Sequence, residues 1–158
     1  MDEQVNTSLE YRLYDRTSSY KPLFHYESID LHQVLARREC DFYVKEGIVY
    51  KQTSSAIEAE WHVIYVEKHD VGEKEKEEFN LNNVLKLEMR RFNERENYPL
   101  LQTLEFEQHI DILARIGSVY HYIDGVEWEK DSAEIDEDRR VYVLYLMETG
   151  YKMEGINT

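Results

Sequence analysis

An α+β fold built from one small unit written twice is what this sequence predicts, and three observations carry the prediction. Residues 9–63 match residues 87–141 without a gap, at an offset of 78. Each copy sets a helical stripe between stretches that alternate like strands, and each holds an acidic-Gly turn signal at the same point. Charge divides evenly as well. Residues 1–79 hold 17 acidic and 10 basic side chains, and residues 80–158 hold 16 and 9, so each half contributes −7 to the total of −14.

The match rests on 13 identities in 55 positions: Leu9/Leu87, Glu10/Glu88, Arg12/Arg90, Tyr20/Tyr98, Leu23/Leu101, Glu27/Glu105, Leu35/Leu113, Ala36/Ala114, Arg37/Arg115, Gly47/Gly125, Ser54/Ser132, Ile57/Ile135 and Val63/Val141. Composition alone predicts about three or four. A tandem duplication follows, with a first copy over 1–70, a charged linker over 71–79 and a second copy over 80–158. A unit of about 70 residues buries little by itself, so the two copies are expected to fuse into one globule with pseudo-two-fold symmetry.

Within a copy, Leu9, Tyr11 and Leu13 alternate with polar residues as in a half-buried strand, and Leu87–Phe92 is its counterpart. The proline-bearing stretches Thr17–Pro22 and Asn93–Pro99 read as loops. A helix follows, with Ser28 as N-cap and Asp30 in its first turn. Its core stripe falls at 31, 34, 35 and 38, matched by 109, 112, 113 and 116. The helices are expected to stop near Cys40 and Gly117.

Glu46-Gly47 and Asp124-Gly125 then mark two-residue hairpins, because both central residues of such a turn take positive φ. That turn sets Tyr43 opposite Tyr50 and His121 opposite Trp128, with Ile48 and Val126 toward the core. The last strands are Trp61–Glu67 and Arg139–Met147. The run Val141–Met147 does not alternate, so it is expected to be covered on both faces where the copies pack. The unit is thus β-α-β-β-β, an antiparallel sheet packed on one helix. This order resembles the cystatin-like arrangement, a resemblance of topology that implies no function.

Composition excludes several classes. Apolar content of 42% with 13 Tyr, 5 Phe and 2 Trp argues against disorder. No apolar run approaches the roughly 20 residues that span a bilayer. The acidic, polar start MDEQVNTSLEYR is composed like neither a secretion signal nor a transit peptide, and one cysteine makes no disulfide framework, so a cytoplasmic location is expected. A net charge of −14 repels nucleic acid and anionic membrane alike.

No catalytic constellation emerges. The six histidines form no H-x-x-x-H or H-E-x-x-H pair, and His109 on an apolar stripe reads as a core residue. Cys40 sits at a helix C-terminus, where the dipole disfavours a thiolate. No glycine-rich phosphate loop and no G-x-S-x-G elbow is present. Neither metal, cofactor nor catalytic residue is therefore assigned.

Two residue sets remain as candidates. Arg12, Arg37, Arg90 and Arg115 recur in both copies and suit paired anion or carboxylate sites, although placement in the last helical turn and pairing along a strand explain them more simply. Phe42, Val44, Tyr120 and Tyr122 fall on the hairpin face that points away from the core. Aromatics beside acids suit a protein interface. The expected function is a non-enzymatic protein-interaction module. A small-ligand pocket between the copies and an acidic inhibitor or nucleic-acid mimic are the alternatives.

Overall fold

The alternation of Leu9, Tyr11 and Leu13 becomes strand β1 (Asn6–Leu13) in a computed structural model that describes residues 6–71, 80 and 84–153. Leu9 and Tyr11 are fully buried. A second strand, β2 (Pro22–Asp30), follows before helix α1 (Leu31–Arg38), and three more come after it: β3 (Phe42–Lys45), β4 (Ile48–Glu58) and β5 (Trp61–Val71). The C-terminal half repeats the order as β6 (Leu85–Arg91), β7 (Leu100–Phe106), α2 (His109–Ile116), β8 (Tyr120–Ile123), β9 (Val126–Asp136) and β10 (Val141–Lys152). Helices α1 and α2, strands β3 and β8, and strands β4 and β9 begin and end 78 residues apart, as Leu31/His109, Phe42/Tyr120 and Ile48/Val126 show.

The observed order is β-β-α-β-β-β, so each half has one strand more than expected and the helix follows the second strand, not the first as the cystatin-like reading had it. Phe24, Tyr26 and Ile29 pack on the core along β2. Ser28 therefore lies in a strand, and the α1 N-cap is Asp30, which makes no side-chain cap hydrogen bond. The loop before β2 is shared in detail. Ser19, Tyr20, Asn97 and Tyr98 all take positive φ, and the Tyr20 and Tyr98 amides donate to Asp15 and Asn93 carbonyls at 3.0 and 2.9 Å. Both rings also pack on aromatics in matching fashion, Tyr20 on Tyr14 and Tyr65, and Tyr98 on Phe92 and Tyr145.

All ten strands join one mixed sheet in the order β2-β1-β5-β4-β3-β9-β10-β6-β7, with β8 on β9 beside β3. The expected all-antiparallel sheet is corrected at three places: β1 runs parallel to β5, β6 to β10 and β3 to β9. Both hairpins form as read, with Tyr43 opposite Tyr50, His121 opposite Trp128, and positive φ at Glu46, Gly47, Asp124 and Gly125.

One core runs through both halves under the helices, which pack against each other. The buried residues of α1 are Val34, Ala36 and Arg37, so Arg38 is outside the expected stripe, whereas Ile112 and Ile116 of α2 keep it. Val141–Leu146 is buried on both faces, but its position differs from expectation: β10 lies between β9 and β6, and Tyr98 packs on its second face. The halves meet instead along β3 and β9.

The offset of 78 also has an end. Leu9 faces His62 on β5, while its counterpart Leu87 faces Tyr142 on β10, 80 residues on. The β4–β5 turn is Ala59-Glu60, whereas the β9–β10 turn is Glu137–Arg140, two residues longer. Val63 and Val141 are therefore identical without being structurally equivalent. Most of the expected 71–79 linker, from 72 onward, lies outside the described residues. Among the described residues, no helix is long and apolar enough to cross a membrane.

Candidate functional site

The longer turn is what fastens the halves together. Its first residue, Glu137, donates its amide to the Val44 carbonyl at 2.9 Å and extends the β3–β9 ladder. Its carboxylate enters a cage from the N-terminal half. Tyr26 donates to Oε2, Tyr43 donates to the same oxygen at 2.9 Å, Lys45 Nζ reaches Oε1 at 3.0 Å and Arg37 Nη1 stands 3.4 Å from Oε2. Tyr11 stacks on Tyr43 at 3.9 Å, and the Arg37 guanidinium lies 4.9 Å from the centre of the Tyr26 ring. The next residue, Asp138, accepts the Glu46 and Gly47 amides at 2.7 and 2.9 Å. Paired amides at a tight turn form a small anion cradle.

Electrostatics follow from this geometry. Burial would raise the Glu137 carboxyl, but Arg37, both tyrosine hydroxyls and Lys45 outweigh it and hold it below its ordinary value. Burial pushes Tyr11, Tyr26 and Tyr43 upward, so all three stay protonated. Arg37 is only 4% exposed, and its Nε and the Tyr142 hydroxyl are buried without a hydrogen-bond partner.

The four arginines expected to hold anions meet carboxylates of their own chain in three cases. Arg12 bonds Glu10 at 2.6 Å and Glu58 at 2.8 Å, and Arg90 bonds Glu88 at 3.0 Å, the same strand-face pairing in both halves. Glu88 also takes a bidentate bond from Arg139. Arg37 belongs to the Glu137 cage. Arg115 is exposed, with its guanidinium 5.8 Å from the Phe106 ring centre.

The hairpin face divides. Tyr120 and Tyr122 are 54% and 50% exposed, and Tyr122 donates to Glu127 at 2.6 Å. Val44 is a correction to the expected outward surface: β4 and β9 flank β3 on both sides, and Val44 is buried. Phe42 is half-buried and lies 5.1 Å from His69, ring centre to ring centre. Only the β8 tyrosines remain as a surface.

Opposite β8, the stretch Ser54–Glu58 of β4 is paired on one side only. Its counterpart Ser132–Asp136 on β9 is buried throughout, because β3 covers its outer edge. In β4 the same edge meets no described strand, and Ile57 is 66% exposed. A groove of about 220 Å³ runs beside it, lined by Val34, Arg38, Ala56, Ile57, His62 and Ile64.

No group of three metal-ligating side chains occurs among the described residues. Burial raises the Cys40 thiol and lowers His109 to about 4, which suits neither to nucleophilic or proton-transfer work near neutrality. Sequence reasoning did not find Glu137, Asp138, Lys45 or Tyr26. For Glu137 and Asp138 the signal is the charge run Asp136–Arg140, within which the ungapped match holds no identity. No family model, curated protein or solved structure matches this chain.

Proposed function

We propose that the chain is a non-enzymatic, cytoplasmic protein-interaction module. In this reading a β-β-α-β-β-β unit was duplicated in tandem, and its two copies are related by a pseudo-two-fold axis that their turns break. Elements spaced 78 residues apart and shared loop geometry support the duplication. The observation that carries the function is the pair Tyr120 and Tyr122, half-exposed on β8 beside Glu127, with Tyr151 56% exposed nearby in β10. Tyrosine offers contact area with a polar end at low entropic cost, and exposed side chains of this kind anchor interfaces.

The double substitution Tyr120→Ala and Tyr122→Ala tests the proposal. Both side chains are outside the core, so the melting temperature is expected to stay within a few degrees of the parent. Capture of partners from a native lysate is expected to drop by more than about tenfold, since each aromatic anchor contributes roughly 1–2 kcal/mol. If every partner is retained at parental yield, this surface is not the site. A small-ligand pocket is the weaker reading, because the described groove lies within the N-terminal half and falls below the roughly 300 Å³ typical of ligand sites.

A further inference from the structure

The β3–β9 junction shows what an edge of this sheet accepts. Asp41-Phe42-Tyr43-Val44-Lys45 lies parallel to β9, with Phe42 opposite Glu134 and Val44 opposite Asp136. Asp41 opens the contact, its amide donating to the Ala133 carbonyl at 2.8 Å and its carboxylate accepting the Ala133 amide at 2.8 Å. Lys45 closes it on Glu137. The strand is therefore polar in sense, acid first and base last.

Ser54–Glu58 of β4 aligns with Ser132–Asp136 at the 78-residue offset, and its outer edge meets no described strand. By strand alternation the backbone groups of Ser55 and Ile57 point outward there, as those of Ala133 and Ile135 point to β3. Arg38 lines the groove, and Glu60 stands exposed in the turn that follows the stretch, whereas Glu58 is taken up by Arg12. The chain's own β8 faces this edge without pairing. Its junction lacks the lock, because the Ala59-Glu60 turn is two residues short and Ile123 stands where Lys45 does.

We propose that this β4 edge binds an extended segment of a partner protein, parallel to β4, that begins with an acidic residue, continues through apolar residues into the groove and ends with a basic one. The inference rests on the reading of the chain as an interaction module and names the kind of segment it takes. Strand addition gives affinity through the backbone and selectivity through alternate side chains.

The probe is an acetylated, amidated peptide copying residues 40–45 with serine for Cys40, titrated into the full chain and followed by amide NMR. Saturable shifts are expected at Ser55, Ile57 and neighbouring residues. A peptide of the same composition with its Asp and Lys exchanged is expected to bind about tenfold more weakly or worse, and methylation of its valine nitrogen is expected to abolish binding. Ile57→Pro, at an exposed edge position, should do the same from the protein side. Absence of saturable shifts at millimolar peptide, equal binding of both peptides, or indifference to Ile57→Pro and to methylation would overturn the proposal. So would a peptide-free chain in which β8 pairs with β4, or a dimer joined through this edge. Failure of the peptide while Tyr120- and Tyr122-dependent capture persists removes this inference alone; failure of both removes the module reading too.

Discussion

Glu137→Ala is expected to lower the unfolding free energy by about 3 kcal/mol, measured by urea denaturation at neutral pH. The substitution strips the shared acceptor from Tyr26 and Tyr43 and the counter-charge from Lys45, and it leaves Arg37 buried without a carboxylate. Leaving a buried cation unpaired costs more than the pair itself contributes, which is why one side chain in a turn has so large an effect. A signature in pH accompanies it. The folded-state value of Glu137 lies below its ordinary 4.5, so its contribution is fully present above that pH and fades as pH falls through the folded value. Glu88, held down by Arg139 and Arg90 against its burial, acts in the same direction. The parent should lose stability on acidification below about pH 4.5 more steeply than Glu137→Ala does. Equal acid slopes would show that the carboxylate is not held in the cage.

Arg37→Ala and Arg115→Ala form the second test, since the two arginines occupy matched positions in the last turns of α1 and α2. Arg37 is expected to cost about 3 kcal/mol, because it lies buried between Tyr11, Tyr26 and Glu137. Arg115 stands exposed over Phe106 and is expected to cost no more than about 0.5 kcal/mol. A helix-dipole role shared by both would produce small, equal losses instead. Urea midpoints of the two variants, side by side, separate these accounts.

Much of the local structure was legible because local rules dictate it. Glu46-Gly47 and Asp124-Gly125 specify their hairpins through positive φ, and the apolar positions of α2 specify its buried face. Strands β2 and β7 were not, because a proline-bearing stretch before an N-cap-like Ser28 imitates a loop running into a helix. Val44 reads as outward from its hairpin alone; only the arrival of β9 from the other half buries it. That meeting joins residues some 90 positions apart, and no periodicity encodes it. The cage was unreadable for the same reason, except at one point. No identity at the 78-residue offset falls within Asp136–Arg140, where the turn is two residues longer than its counterpart, and that longer turn carries the acids that lock the junction.

The β9 edge is sealed by β3, whereas its counterpart on β4 meets no described strand. Native-state amide hydrogen exchange measures this directly at four positions, Ala133 and Ile135 on β9 and Ser55 and Ile57 on β4. The amides of Ala133 and Ile135, covered by β3, are expected to exchange more than about a hundredfold more slowly than those of Ser55 and Ile57. Comparable protection at all four amides would contradict the account, for it would mean that β8 closes on β4 and that no edge remains to take a partner.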